Sequence, residues 1–576
     1  MRYLLLFCLL PLQTIAQWPA NFNYGNDSKT YEALIENYQA LAKQHNKAAL
    51  FTIGTTDVGK PLHAFIIDRD GNFSPTELKA RKKPVLLINN GIHPGEPCGI
   101  DASLLLAEQM LSGNIPIPNA QIIIIPVFNV GGMLNRSCCS RANQEGPAQY
   151  GFRGNAQNLD LNRDFVKNDA QNTIWLMRYI AERDPDVFID THTSNGADYQ
   201  YVMTLIQSQI DKLEPSIATL QNEQLTPFLY QQMQTQGYPM APYVHTIKRT
   251  PDHGIMDYLD SPRYSTGYTA FRNTLSFVSE THMWKPFEER VKSTYLLLFD
   301  AATWMEKNAA LLITTRQQAH NNVKNTTEVA INWTLDTTKI DSFYFKGYEA
   351  NMVTSKLSGL KRLQYNRKAS YNKNIPYYHH YKTTNTTTLP KYYIIPQAWK
   401  SVVDKLTNAG VKVSQLKKDV DLKVWQTYID DYKTTTKPYE GHYVHYDTKT
   451  TTVEDNVHFY TGDYVVETNQ LTNYFIGNVL CAEGVDSYFN WGFFDAVLQQ
   501  KEWFSDYVFE EKAIAILNAN PRLKTELDKA IKQDSVLANS HWKQLEFVYK
   551  QSAYYENTVK RYPVFEYNKS LIGLLK

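Results

Sequence analysis

The sequence predicts an α/β fold, a mixed and mostly parallel sheet sandwiched by helices, followed by a C-terminal accessory region that is β-rich and then mixed α/β. Three observations carry this. Apolar runs of strand length alternate with stretches of helical periodicity from about Asn26 to Leu312, the pattern of strands covered by helices. Runs such as Gln121-Ile-Ile-Ile-Ile-Pro-Val-Phe128 are apolar on both faces, as fully buried strands are. Beyond residue 315 the alternation gives way to Asn-, Thr- and Tyr-rich sequence. A chain of 576 residues also exceeds one ordinary core, and the composition divides it into 1–16, 17–315 and 316–576.

Residues Met1–Ala16 combine Arg2, a short apolar run and small residues ahead of Gln17-Trp18-Pro19, the layout of a cleaved export signal. The run is too short to span a membrane, and no later stretch approaches that length. An exported protein, periplasmic or extracellular, is therefore expected. Tyr31–His45 has an amphipathic helical period behind the capping stretch Asn26-Asp-Ser-Lys-Thr30. Ala49–Thr56 and Pro61–Asp68 form a hairpin about Asp57-Val-Gly-Lys60. Pro84–Asn90 is a buried strand, Ile100–Leu111 a helix with Pro97 suited to its first turn, and Gln121–Phe128 a central strand. Asp186–His192 and Thr274–Glu280 are two more strands, and Glu288–Leu312 is a long helix that closes the block. Arg316–Thr327, polar and Asn-rich, reads as a linker. Short strands are expected over 328–368. Tyr392–Pro396, Ala398–Ala409 and Gly410–Ser414 then form a βαβ-like unit, and the chain from Phe493 onward is mostly helical and aromatic.

Lys plus Arg number 59 against 58 Asp plus Glu, so no charge excess points to nucleic acid or an anionic membrane. Four cysteines remain after the signal, too few for a disulfide framework in so long a chain. Adjacent Cys138 and Cys139 are not expected to pair with each other, which leaves Cys98 as a partner for either, or free thiols.

Three strands end in ionisable residues. His93-Pro94-Gly95-Glu96 follows the first, His192 ends Asp186-Val-Phe-Ile-Asp-Thr-His192, and Glu280 ends Thr274-Leu-Ser-Phe-Val-Ser-Glu280. In an open α/β sheet ligands gather at the carboxyl edge of the strands. Two His and a Glu make three zinc ligands with an open position, and a spare Glu makes a base for a bound water. Each signal alone is weak. Among 14 His about one His-x-x-Glu arises by chance, and a lone strand-end His is more often a satisfied half-buried side chain. Arriving together at strand ends, they favour a metal site. Asp190, beside His192, is placed to orient its ring. The segment Tyr150–Phe165 is rich in Asn and Arg without periodicity, so it reads as a long functional loop. Its Arg153 and Arg163 offer planar donor forks suited to a carboxylate or an oxyanion. His442-Tyr-Val-His445 lacks the spacing of a helical zinc pair and reads as strand. Cys98 reads as packing or a disulfide partner. No Gly-x-Ser-x-Gly elbow or phosphate-binding loop occurs.

In order, His93-x-x-Glu96, Asp160-x-Asn162-Arg163, His192 and Glu280 resemble the carboxypeptidase A-like zinc metallocarboxypeptidases over roughly residues 25–312. Glu96-Pro97 with Asn158-Leu-Asp-Leu-Asn-Arg-Asp-Phe165 is most similar to their secreted bacterial members. The resemblance implies one zinc ion per catalytic domain, held by His93, Glu96 and His192, with Asp160 supporting His93. It implies that Asn162 and Arg163 grip the substrate's terminal carboxylate and that Glu280 is the base and later the proton donor. Arg153 is taken as the arginine that polarises the scissile carbonyl, with Arg141 its competitor. A mobile tyrosine precedes the base in the family, and Tyr264 and Tyr268 are the candidates, with Tyr258 a third. The implied activity is hydrolysis of C-terminal peptide bonds by a Glu-activated, zinc-bound water, on peptides or proteins with a free C-terminus. The rival readings are a zinc amidase, deacylase or cell-wall peptide hydrolase on the same fold, and a catalytically inactive binding module. Thr281-His282 stands after the base where the family usually has Leu-Arg, which leaves the side-chain preference open. The βαβ-like unit resembles a glutamine amidotransferase-like fold without its catalytic cysteine, since Cys481 lacks an elbow context. The C-terminal region is read as an accessory domain that shapes substrate access or docks on the catalytic domain.

Overall fold

A computed structural model describes residues 25–81 and 83–576; the export-signal segment 1–16 lies outside the described residues. The chain builds an eight-stranded sheet from β1 (Ala48–Thr55), β2 (Pro61–Ile67), β3 (Val85–Asn89), β4 (Gln121–Ile125), β5 (Val187–Ser194), β6 (Met203–Gln207), β7 (Met240–Pro242) and β8 (Leu275–His282). Their order across the sheet is β1-β2-β4-β3-β5-β8-β6-β7. The four central strands β4, β3, β5 and β8 are parallel. The β1–β2, β2–β4 and β8–β6 pairs are antiparallel. From β3 the chain crosses to β4 on one side, and β5 then returns to the other. The crevice between the carboxyl ends of β3 and β5 is therefore the topological switch point, where α/β sheets bind ligands.

The flanking helices used below are α1 (Tyr31–Gln44), α2 (Cys98–Leu111), α3 (Gln171–Arg183), α4 (Phe287–Lys307) and α5 (Ala309–Lys324). Alternation along the central strands explains why they read as continuously apolar. In β3, Leu86 and Ile88 join α1, α2 and α4 in one core, while Val85 and Leu87 join α3 in another. Among the described residues no helix is long and apolar enough to cross a membrane.

Two expectations about the join to the C-terminal region need correction. The closing helix is interrupted at Asn308 and resumes as α5, so Arg316–Lys324 is helical rather than a linker. Its polarity reflects buried pairing. Arg316 contacts Asp186 at 2.6 Å and Asp184 at 3.1 Å, while Ala319 and Val323 are fully buried. The strands that follow are long, not short: Asp341–Thr354 pairs antiparallel with Lys361–Tyr378.

The βαβ-like unit also differs from a doubly wound fold. Tyr392–Ile395 and Ser414–Gln415, joined through the helix Lys400–Asn408, do not neighbour each other. Tyr464–Glu467 lies between them, antiparallel to both, in a six-stranded sheet whose neighbours are all antiparallel. The glutamine amidotransferase-like expectation therefore fails. Buried side chains of this region, including Tyr393, Leu406, Phe475 and Trp491, are continuous with the α3-side core. The helices Asp506–Ala519, Pro521–Gln533 and His541–Lys550 pack on a small core of their own, and the chain then returns to the six-stranded sheet as the strand Phe565–Tyr567.

The cysteine expectation is corrected as well. Exposed Cys138 and Cys139 form a disulfide with each other. Cys98 cannot serve either of them, because it is buried at the start of α2, with its Sγ 3.1 Å from Thr281 Oγ1 and 3.4 Å from Thr193 Oγ1.

Candidate active site

The carboxyl ends of β3, β5 and β8 open into a cavity of about 510 Å³. After β3 the chain turns at Gly91, whose φ of +64° is a left-handed conformation. His93-Pro94-Gly95-Glu96 then closes a turn in which the Glu96 N–H donates to His93 O at 2.9 Å. A Cβ at Gly95 would be tight, 3.0 Å from Arg141 Cδ and 3.1 Å from Gly151 O. His192 on β5 stands directly opposite Glu280 on β8 in the parallel register. The three predicted ligands and the predicted base thus reach one site from three elements.

The donor atoms converge. His93 Nδ1 is 3.1 Å from His192 Nδ1, His192 Nδ1 is 3.1 Å from Glu96 Oε2, and His93 Nδ1 is 3.4 Å from Glu96 Oε1. Ligands about 2.1 Å from a tetrahedral zinc lie roughly 3.4 Å from one another, so the triangle fits that ion. Two ring nitrogens facing each other at 3.1 Å beside a carboxylate suit a shared cation. The remote nitrogens face carboxylates: His93 Nε2 lies 3.0 Å from Asp160 Oδ1 and His192 Nε2 lies 3.3 Å from Asp190 Oδ2. Those partners orient the rings with Nδ1 toward the cavity.

The electrostatics follow from burial and close pairing. Burial opposes ionisation of Glu96, but Arg141, His93 and His192 overcome it and hold its carboxyl well below the usual range. Burial likewise opposes charging of His192, and Asp190 and Glu96 reverse it, raising the imidazole well above its ordinary value. Asp160 is driven down against its own burial by His93, Arg153 and Arg163. Burial pushes the Glu280 carboxyl up to about 7, with His192 opposing and Glu96 reinforcing the shift. Its Oε2 has no hydrogen-bond partner among the described residues.

The Tyr150–Phe165 loop supplies the rest. Asp160 caps a short turn over Leu161–Arg163 by accepting from the Asn162 N–H at 2.9 Å. Asn162 Oδ1 accepts from the Ser265 N–H at 3.0 Å. Arg153 donates through Nε and Nη2 to Asp160 Oδ2, at 3.0 and 2.9 Å, and its Nη1 lies 3.5 Å from Glu96. Arg141 bonds Glu96 and, at 2.9 Å, Thr193 O. Both guanidiniums therefore flank Glu96 and line the cavity. Arg163 lies over the Tyr264 ring at 4.5 Å, and Tyr258 packs against Tyr264 with ring centroids 5.2 Å apart.

Tyr264 and Tyr258 line the cavity, but Tyr268 does not. This is a correction. Tyr268 is fully buried, packs against Phe165 and Phe475, and donates to Ala409 O at 3.1 Å. The residues after the base also turn away from the cavity. Thr281 bonds Cys98 and Thr193, and His282 is buried against the Tyr199 ring at 4.4 Å. Burial lowers the His282 imidazole to about 3. The wall near Glu280 is instead Ile206, Tyr243, Thr266 and Val278, which the sequence reading missed. Tyr243 sits just past the end of the short edge strand β7, a strand-end placement that is the one signal available for it.

His93, Glu96 and His192 are a buried group whose donor atoms could hold a metal ion, the arrangement of a zinc site, and Glu280 stands opposite them. The family model described as zinc carboxypeptidase matches residues 34–346. The chain belongs to that zinc carboxypeptidase family. Among solved structures it is similar to a metallo-carboxypeptidase from Burkholderia cenocepacia, with 16% identity over 49% of this chain and 69% of that one and a TM-score of 0.37. It is similar also to a metallo-carboxypeptidase from Pseudomonas aeruginosa, with 13% identity, 49% and 70% coverage and a TM-score of 0.36. Carboxypeptidase A from Helicoverpa armigera matches with 16% identity, 49% and 74% coverage and a TM-score of 0.36. No curated protein matches the chain.

Proposed function

We propose that the chain is an exported zinc metallocarboxypeptidase that removes C-terminal residues from peptides or proteins. The observation that carries this reading is a pairing within one cavity. The His93–Glu96–His192 donor set faces the same space as Arg163. Arg163 spends Nε on Tyr439 Oη and Nη1 on Asn162 O, and its Nη2 makes no hydrogen bond among the described residues. An uncommitted guanidinium edge beside a metal centre suits an anionic chain end.

A zinc ion held by His93, Glu96 and His192 would supply Lewis acidity and would lower the pKa of a water bound to it toward about 7. The protein's own residues do the rest. Arg163 and Asn162 receive the substrate carboxylate and so set which peptide bond lies over the centre. Glu280 takes the proton from the attacking water and delivers it to the leaving amine. Arg153, with Arg141 beside it on Glu96, faces the charge that develops on the carbonyl oxygen; losing such a donor costs about 3 kcal/mol of transition-state stabilisation. Tyr264 braces Arg163 from below. The uncharged wall of Ile206, Thr266, Val278 and Tyr243 favours apolar or aromatic C-terminal side chains over charged ones.

The test is mass spectrometry of a peptide library digested with and without a chelator. Chelator-sensitive loss of single C-terminal residues, apolar ones first, supports the reading. Internal cleavage, or deacylation with intact C-termini, refutes it. Export through Met1–Ala16 is part of the proposal and is checked by N-terminal sequencing of the exported protein, which should begin near Gln17.

A further inference from the structure

The long antiparallel hairpin Val420–Thr434/His445–Phe459 belongs to the C-terminal region, and the segment joining its strands ends in a two-residue tip. Tyr439 and His442 exchange backbone hydrogen bonds of 2.8 and 3.1 Å across Glu440 and Gly441, whose φ values are +50° and +83°. Two successive left-handed residues make a type I′ turn, which favours Asn, Asp or Gly at its first position. Glu is poorly suited there, since its Cβ strains the left-handed backbone. Its carboxylate explains its presence: Glu440 Oε2 accepts the Asp160 N–H at 2.7 Å. An Asp would fit the turn better but falls one methylene short of that contact.

The neighbours of Glu440 reach the same loop. Tyr439 Oη accepts from Arg163 Nε at 3.0 Å, and His442 Nε2 lies 2.7 Å from Asp169 Oδ2. Arg263, one residue before Tyr264, is stacked on Trp491 at 4.8 Å and faces Tyr439 at 5.8 Å. It also donates to Asp486 at 2.7 Å. One hairpin tip thus holds the clamp loop before, at and after Arg163, and the segment that carries the tyrosine beneath it. With Nε fixed by Tyr439 and one Nη1 hydrogen by Asn162 O, the guanidinium keeps one N–H on Nη1 and two on Nη2, enough for an end-on, two-pronged grip on a carboxylate.

We propose that this tip is a positioning element of the substrate site: Tyr439 and Glu440 hold Arg163 in the orientation that captures the chain-terminal carboxylate. The inference rests on the carboxypeptidase reading above. It assigns the C-terminal region a share in substrate recognition, which a mere contact between two bodies would not have.

The experiment uses the full chain loaded with zinc, and N-acyl dipeptides ending in phenylalanine as substrates. Tyr439→Phe keeps the ring beside Arg263 and removes the hydroxyl. KM should rise roughly fivefold, the worth of one hydrogen bond, with kcat changed less than about twofold. In an Arg163→Ala background the same change should have no further effect. Glu440→Ala should raise KM as well, and Glu440→Gln, which keeps an oxygen acceptor, should restore most of that loss. An unchanged KM in Tyr439→Phe overturns the inference, as does an equal KM effect with and without Arg163. If the parent chain releases no C-terminal residue from any substrate, the functional reading fails separately. Binding then decides the inference, measured calorimetrically on the Glu280→Gln chain with the dipeptide and its C-terminal amide. Tyr439→Phe should weaken the acid and spare the amide, and equal weakening overturns the proposal.

Discussion

Arg316→Met tests whether α5 is part of the body that carries the eight-stranded sheet. Arg316 is almost wholly buried, with its side chain 5% exposed. Nη1 reaches Asp186 Oδ1 at 2.6 Å, Nη2 reaches Asp184 Oδ1 at 3.1 Å, and Nε donates to Asn273 O at 2.9 Å. Asp186 in turn accepts the Val85 N–H at 2.8 Å through its other oxygen, so this pair ties the start of β3 to the start of β5. Met fills similar volume but strands the Asp186 charge. Breaking one side of a buried, hydrogen-bonded pair costs about 3–5 kcal/mol, against about 0–1 kcal/mol for an exposed ion pair. The sign with pH follows from Asp186. Burial already raises its carboxyl and Arg316 opposes the rise, so the variant's Asp186 moves further up. A carboxyl raised above its unfolded value near about 4 loses folding stability as pH rises. The deficit of the variant should therefore be smallest near pH 4 and grow toward pH 8. Urea unfolding at the two pH values, read by intrinsic fluorescence, measures it, and adding Asp186→Asn should recover part of the loss. A deficit below about 1 kcal/mol at pH 8 would show that α5 is a loosely attached connector and refute the reasoning.

Glu280→Gln should retain bound zinc while kcat falls by roughly 10²–10⁴; unchanged turnover with full metal occupancy excludes Glu280 as the base. The parent chain should carry one zinc by elemental analysis, and His93→Ala or His192→Ala should lose it, with a metal content equal to the parent's arguing against these ligands. Asp300 is buried on α4, accepts from Gln236 at 2.7 Å, and burial pushes its carboxyl up to about 7. Being raised, it contributes stability below about pH 4 that is lost as pH climbs through 7. Asp300→Asn should thus stabilise the protein at pH 8 by on the order of 4 kcal/mol and leave it unchanged at pH 4. Equal melting shifts at both pH values would contradict the burial argument.

Much of the centre was legible because its residues sit where local sequence speaks. His93 and Glu96 follow a short apolar strand, His192 and Glu280 lie near the carboxyl ends of two more, and a strand end is a place that a linear pattern can find. The Asp160–Arg163 turn stood out by its lack of periodicity. Orientation was not legible. Tyr264 and Tyr268 lie four residues apart about the helix Ser265–Ala270, yet one faces the cavity and the other the core. Arg316–Lys324 was misread because buried ion pairing makes a helix look as polar as a linker. Tyr439 and Glu440 lie some 280 residues from the loop they hold, a distance that no local signal bridges.

The continuity of the α3-side core with Tyr393, Leu406 and Trp491 bears on how the chain reaches its final form. The helix Lys400–Asn408 packs on α3, and Tyr268 and Arg272 both donate to Ala409 O. During synthesis the zinc carboxypeptidase-like half emerges first, with the outer side of α3 and the rings of Tyr268 and Phe271 still uncovered. Chains in that condition are prone to aggregate. Completion must await the arrival of residues 389–494, so an open reading frame cut near residue 315 should yield insoluble product rather than a smaller enzyme. The two halves are better regarded as one folding unit written in two styles.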